Sequence, residues 1–368
     1  MISFSKFKKI GQYIRFDRRE QRQNQKDAPI SIIWSLFTAN CQRNYKPSPY
    51  LTIDEQLCNT RGRCPFKSYI PTKPGKYGIK IWCLCDSTNA YFLNGQIYTG
   101  RTGNSTEKNQ GERVVRELSL KYLNTGRNIT TDNFFTTLPL AKFLFSKKTT
   151  LVGTVRKTRK FLPEELCGNS RVVGSEFIFH ENHIAIVRYT ERPSKSVTLL
   201  SSFQPTNDIS ANGKPVIVET YNSTKAGVDT LDQLVRFYTV RRRTRRWPLT
   251  IFFNILDIAC YNSLIVYLTK FPEVRELYKN RTRRKFIVDL ADEIKDKYGQ
   301  KHDDHESSEQ SAKLFKYERK RTKRCVICPR VKDMKPCTGC DMCQNACCKS
   351  HLWQICENCV NNSYKKSK

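Results

Sequence analysis

The stretch Tyr77-Gly-Ile-Lys-Ile-Trp-Cys-Leu-Cys-Asp86 decides the fold class. Its β-branched and aromatic residues (Ile79, Ile81, Trp82) read as a strand over 77–85, closed by an acid, Asp86. Downstream, Asn94-Gly95 favours a type I′ turn between Tyr91-Phe92-Leu93 and Ile97-Tyr98, which predicts a hairpin over 90–100. The apolar period then turns helical over 112–123, through Val114, Val115, Leu118 and Leu120. A short strand ends at Asp132, a helix covers 138–146 and a strand covers 150–155. Upstream, Ile33, Trp34, Leu36 and Phe37 suit one helix beginning near Ile30, behind a basic, polar start. Residues 160–220 change texture: three short strands, 176–180, 184–189 and 197–201, stand between polar turns. Helical periodicity returns over 224–240, 247–270 and 283–298. The alternation predicts an α/β core interrupted by a β-rich insertion and followed by helices.

Charge narrows the partners. The 368 residues carry 65 Lys and Arg against 34 Asp and Glu, a net charge of +31. Such a surplus favours a polyanion, with nucleic acid ahead of an anionic membrane surface. Residues 1–7 lack the long apolar core of a secretory signal. The most apolar window, 249–268, contains Asn254, Asp257 and Asn262. An acid at the centre of a membrane helix costs ~2.5–3.5 kcal/mol, so this window reads as a buried helix and no membrane role is expected. Residues 299–324 are charged and nearly free of apolar side chains, which marks a linker. Within it, Lys320-Arg-Thr-Lys-Arg324 reads as a localisation signal and points to the nucleus.

Nine of the 16 cysteines lie between Cys325 and Cys359. They form Cys325-x-x-Cys328, Cys337-x-x-Cys340, Cys348-x-x-His351 and Cys356-x-x-Cys359. A two-residue gap lets one tight turn supply two ligands of a tetrahedron, so eight ligands predict two structural Zn²⁺ ions. Iron–sulfur ligation usually uses cysteine alone, and His351 speaks against it. An interleaved pairing would join Cys325, Cys328, Cys348 and His351 at one ion and Cys337, Cys340, Cys356 and Cys359 at the other. Cys343 and Cys347 are left over, with Cys347 an alternative to Cys348. Few apolar residues occur here, so metal must supply the folding energy. Such a module binds DNA, a protein or a histone tail.

Four acids stand out against so basic a background. Asp86 and Asp132 end strands, while Asp229 and Asp232 are three apart on one helical face. Each has a plain structural reading: a turn after Asp86, an Asx turn or helix cap at Asp132, a first helical turn at Asp229 and Asp232. Together they suit two Mg²⁺ ions, which prefer carboxylate oxygens and sit ~3.5–4 Å apart in two-metal phosphoryl chemistry. Arg241-Arg-Arg-Thr-Arg-Arg-Trp247 sets Arg241, Arg242, Arg243, Arg245 and Arg246 for phosphate and Trp247 for stacking on an unpaired base. Arg156 and Arg159 are further candidates for phosphate contact.

Several stretches occur in an order that resembles the piggyBac transposase family. They are Leu51-Thr-Ile-Asp-Glu-Gln-Leu57, Arg61-Gly-Arg-Cys-Pro-Phe66, Lys76-Tyr-Gly-Ile-Lys80, Cys85-Asp-Ser87, Thr131-Asp-Asn-Phe-Phe-Thr136, Leu151-Val-Gly-Thr-Val-Arg156, Gly227-Val-Asp-Thr-Leu-Asp-Gln233 and Arg246-Trp-Pro248. The resemblance spans about residue 30 to the end and includes the Cys/His tail. It implies a ribonuclease-H-like core split by an insertion, and cut-and-paste DNA transposition through hairpin ends at TTAA targets. It implies catalytic roles for Asp86, Asp132 and Asp229 with Asp232 as companion, and a homodimer on transposon ends. Asp54 and Glu55 match another acidic motif of the family, to which no metal is assigned. The implied division is a partial helical dimerisation and DNA-binding region (1–70), a first core segment (71–159), the insertion (160–220), a core helix with DNA-binding helices (221–298), the linker and the zinc module (325–360). Two features depart from the family: it carries a longer region ahead of the matched start, and the gap from Cys340 to Cys348 is longer here. A non-catalytic DNA- or chromatin-binding protein that kept the fold is the rival expectation. A zinc adaptor leaves the charge and the acids unexplained.

Overall fold

A computed structural model describes residues 3–18, 20, 22, 25–100, 107–167, 172–180, 183–299, 324–332, 334 and 346–351. Two compact units divide the chain, Met1–Lys297 and Tyr298–Lys368. The first is a mixed α/β structure built on one large sheet.

Its elements are α1 (Phe4–Tyr13), α2 (Ala28–Arg43), β1 (Tyr50–Asn59), β2 (Ser68–Tyr69), β3 (Tyr77–Asp86), β4 (Phe92–Ile97), α3 (Gln110–Ser119), β5 (Asn128–Thr131), α4 (Leu138–Ser146) and β6 (Thr150–Thr154). Then come β7 (Gly174–His180), β8 (Ile184–Arg192), β9 (Lys195–Ser201), α5 (Val216–Thr224), α6 (Gly227–Phe237), α7 (Trp247–Lys270), α8 (Glu273–Tyr278) and α9 (Thr282–Gly299). The sheet order is β2-β3-β1-β5-β6-β9-β8-β7, with β4 also pairing β3. β1 runs antiparallel to β3 and parallel to β5, and β5 runs parallel to β6. Parallel neighbours need crossovers, which α3 and α4 supply.

β1 lies inside the sheet, and most of both its faces is covered: Leu51, Ile53 and Leu57 are buried, and so are Thr52 and Gln56. The sequence reading has no strand here: the alternation begun at Leu51-Thr-Ile-Asp54 breaks at the consecutive polar residues Asp54-Glu55-Gln56. Asn94-Gly95 makes no turn. Both residues lie within β4, opposite Leu84 and Cys83, and the chain reverses earlier, through Ala90 at φ 59°. Gly95 is there for packing: a Cβ would stand 2.8 Å from Phe92 Cζ, and Trp34 Nε1 donates to Gly95 O at 2.9 Å. Trp34, Phe37 and Phe92 form an aromatic cluster that seats α2 on β4. Each such side chain contributes about 1.5–3 kcal/mol by burial.

The β-rich segment expected over 160–220 exists as β7–β9, but it is no separate sheet. β9 pairs with β6, so the strands extend the same sheet, and α5 begins before residue 220. α7 is long and apolar enough to cross a membrane, yet its polar residues face protein partners. Asp257 accepts from Val240 N at 2.8 Å and from Thr239 Oγ1 at 2.5 Å, and Asn262 bonds both the N–H and the C=O of Phe92. Most of the expected linker, 300–323, lies outside the described residues.

Candidate functional site

Strand register brings two acids together. Thr52 pairs with Thr130 and Ile53 with Thr131 in the parallel β1–β5 ladder, so Asp54 and Asp132 follow side by side. Thr52, Asp54 and Gln56 alternate onto one face. That face meets α5 and α6. Thr52 Oγ1 donates to Thr224 O at 2.6 Å, Thr130 Oγ1 lies 2.7 Å from Thr224 Oγ1, and Gln56 Nε2 donates to Asp232 Oδ1 at 3.3 Å. Asp54 is therefore bracketed by Thr52, which touches the end of α5, and Gln56, which touches α6, the helix carrying Asp229 and Asp232.

Asp232 is buried and held on both oxygens, by Gln56 and by Arg236 Nη2 at 2.7 Å, with Asn254 fixing Gln56 from behind at 2.9 Å. Asp229, one turn earlier, is open to solvent and pairs with Lys73 Nζ at 2.9 Å. Asp132 takes the N–H of Phe134 at 2.9 Å, the Asx geometry its sequence allows. Arg156 stands at the rim, donating to Asn133 Oδ1 at 3.0 Å.

The acids strain one another electrostatically. Burial, then the charges of Glu55 and Asp132, push Asp54 up to about 8. Glu55 is raised by burial and by Asp132. Burial also raises Asp132 against the N–H groups of Phe134 and Phe135, and Asp232 against Arg236 and Lys73. Tyr221 of α5 is raised by burial and feels Asp132, Asp54 and Asp229. A group of carboxylates that resist joint ionisation suits a hard divalent cation.

Asp86 is not part of this group. It pairs with Leu51, three register positions from Asp54 toward the start of β1 and in phase with the opposite face. Its carboxylate is saturated: Oδ1 accepts from Ser48 Oγ (2.7 Å) and Thr88 N (2.8 Å), and Oδ2 from Ser48 N (2.7 Å) and Tyr45 Oη (3.1 Å). The turn reading of Asp86 holds, and Asp54 takes its position in the cluster. The missing strand hid this, because without β1 the Asp54-Glu55 pair has no address. Lys73 and Tyr221 carried no sequence signal.

The basic tract divides. Trp247 is 9% exposed and packs edge-on against Phe66, so it is a core residue with no face for a base. Arg246 donates to the carbonyls of Gly11, Gln12 and Ile14, closing the C-terminal end of α1. Arg242, Arg243 and Arg245 are exposed, Arg241 is half-buried, and Arg159 is half-buried with Nε unpartnered.

In the second unit, the ligand atoms of Cys325, Cys328, Cys348 and His351 lie within 4.8 Å of one another. Cys328 Sγ is 3.6 Å from Cys348 Sγ, and His351 Nδ1 is 3.7, 3.4 and 3.2 Å from Cys325, Cys328 and Cys348. Burial raises the Cys325 thiol, but the N–H groups of Cys348, Ile327 and Cys328 with the His351 ring outweigh it and bring it to about 6. Cys348, and not Cys347, joins the set. Cys337, Cys340, Cys343, Cys356 and Cys359 lie outside the described residues.

Residues 1–264 match a family model described as Transposase IS4, which sets the class of protein. A solved structure, the piggyBac transposase synaptic complex with hairpin DNA, is 36% identical with a TM-score of 0.72, covering 97% of this chain and 80% of that one. The chain belongs to the piggyBac transposase family. Human piggyBac transposable element-derived protein 3 is 24% identical over 60% of this chain and 41% of its own length. Human piggyBac transposable element-derived protein 2 is 23% identical over 71% and 48%. The chain thus spans under half the length of these curated relatives.

Proposed function

We propose that this chain cuts and rejoins DNA as a piggyBac-type transposase, using divalent cations held by Asp54, Asp132, Asp229 and Asp232. The observation that carries the reading is the β1–β5 register, which sets Asp54 beside Asp132 facing α6. The strand order β4-β3-β1-β5-β6, with β1 antiparallel to β3 and parallel to β5 and β6, supports the reading of a ribonuclease-H-like core. The acids fit hard oxygen-seeking ions, and two Mg²⁺ are assigned to them. Two divalent ions held by these carboxylates would supply Lewis-acid activation of a water or 3′-hydroxyl and charge stabilisation at the leaving oxygen of a phosphodiester. Asp54, Asp132 and Asp232 are preset by backbone and side-chain bonds, so little reorganisation is needed. Arg156 at the rim and the exposed Arg242, Arg243 and Arg245 attract the phosphate backbone.

Zinc is assigned to Cys325, Cys328, Cys348 and His351. A tetrahedron with Zn–S of ~2.3 Å and Zn–N of ~2.0 Å has S–S edges of about 3.8 Å and S–N edges of about 3.5 Å, near the separations found. A second zinc at Cys337, Cys340, Cys356 and Cys359 completes the interleaved module. A homodimer acting in the nucleus on hairpin-ended transposon DNA at TTAA is the matching assembly, by analogy with the hairpin-DNA synaptic complex. The human relatives are named as element-derived, which favours a second reading as a non-catalytic DNA- or chromatin-binding protein.

One assay separates the two. A duplex ending in the element's own terminal repeat is incubated with Mg²⁺ and either the wild-type chain or Asp54→Asn. Nicking by the wild type alone, with DNA binding kept in both, is the expected result. Binding without nicking in the wild type would establish the non-catalytic reading.

A further inference from the structure

The loop at 70–76, between β2 and β3, is built to stay put. Pro71 and Pro74 flank Lys73, Ile70 N donates to Lys76 O at 2.8 Å, and Lys76 N donates to Lys73 O at 3.0 Å. Gly75 lies on β1 so closely that a Cβ would stand 2.0 Å from Asn59 Oδ1. From this anchored backbone the Lys73 side chain, 15% exposed, reaches α6 and meets Asp229, which is 63% exposed. Its charge also acts on Asp54, Glu55, Asp132 and Asp232. Arg156 and Arg236 serve the edges, at Asp132 and Asp232; Lys73 is the cation these acids share.

We infer that Lys73 is the resident counter-cation of the acidic cluster, holding Asp229 in place while no divalent ion is bound and giving up that carboxylate when one binds. The inference rests on the proposed catalytic role of the acids. Its logic is competition. A carboxylate oxygen paired at 2.9 Å with an ammonium is not free to ligate an ion, and two cations at one oxygen repel. The loop is fixed, so only the four-carbon stem has to move. It leaves Asp229 and keeps its charge beside the cluster, where phosphate arrives. Lys73 is thus a positioning residue that sets how tightly the ions are held.

The test is a Mn²⁺ titration of the full chain, followed by the resonance signal of the free ion, together with melting curves. Lys73→Gln should tighten Mn²⁺ binding roughly tenfold, because the competitor is gone. It should also lower melting without metal, where the acids repel, and return to the wild-type value at saturating Mn²⁺. Lys73→Arg should keep the wild-type affinity. In the wild type, acylation of Lys73 read by mass spectrometry should rise as Mn²⁺ binds, which decides the matter even if Lys73→Gln does not fold. Unchanged Mn²⁺ affinity with melting lowered equally in both conditions, or Lys73 labelling indifferent to Mn²⁺, would reduce Lys73 to a loop anchor and overturn the inference. Absence of Mn²⁺ uptake by the wild type would overturn both this inference and the reading of the acids.

Discussion

Asp54 and Asp86 stand three register positions apart on neighbouring strands, on the order of 10 Å at the rise of a β-strand. Asp86 receives four donors and is spent on holding the turn. Asp54 accepts from the N–H of Glu55 at 2.7 Å and faces Glu55 and Asp132, with the charge of Lys73 acting on it. Asp86→Asn should therefore cost about 2–4 kcal/mol in denaturant unfolding, since an amide nitrogen would meet donors, yet preserve metal-dependent nicking in the folded fraction. Asp54→Asn should do the reverse: abolish nicking and raise the melting temperature of the metal-free chain by relieving repulsion. The same asymmetry sets a pH dependence. Asp54 rises from 3.8 to about 8 on folding, so between those values the folded chain holds the proton more often than the unfolded one. Stability then falls as pH rises through this window. Metal-free melting should be higher near pH ~5 than near pH ~8.5, and added Mg²⁺ should flatten the difference.

Most elements with a clear period are legible from the sequence. The helix at 138–146 and the helix at 247–270 match α4 and α7, and the strand at 77–85 matches β3 to within a residue. What failed was context. Asn94-Gly95 carries the local chemistry of a turn, but the approach of Trp34 and Phe92 demands a glycine inside a strand. β1 is hard to read because the polar run Asp54-Glu55-Gln56 interrupts the alternation begun at Leu51, and with the strand goes the address of Asp54. Trp247 looked like a stacking residue because it sits among arginines, whereas Phe66 buries it. The joint between α6 and β1 belongs to the same scale. A Cβ on Gly227 would lie 2.9 Å from Thr52 Oγ1, 3.2 Å from Thr52 Cβ and 3.3 Å from Asp86 O. Gly227→Ala should push the first turn of α6 off the sheet, costing about 1–3 kcal/mol. Asp229 and Asp232 ride on that helix, so nicking should fall more than DNA binding does. Equal losses in a filter-binding and a nicking assay would mean the helix does not shift.

The chain carries a net charge of +31, and within Met1–Lys297 the cations Lys73, Arg156 and Arg236 act on a cluster of acids that repel without one. The same positive field that makes the acids tolerable draws in phosphate, so DNA affinity should drop steeply with salt, each neutralised phosphate adding about −0.9 to the logarithmic slope. The two units derive their stability from different sources. Met1–Lys297 has a sheet core of Trp82, Phe92, Leu51 and their neighbours, all buried without any metal. In the second unit the described residues bury Cys325, Ala346, Cys347 and Cys348, and little else that is apolar. A structural zinc site supplies on the order of 10–16 kcal/mol of apparent binding energy, which such a segment cannot replace by packing. A strong zinc chelator should therefore abolish amide protection around Cys325–Cys328 and Cys348–His351 in hydrogen exchange while β1, β3 and β5 keep theirs. Simultaneous loss of protection in β1 would mean that the metal-bound segment and the sheet fold as one cooperative block.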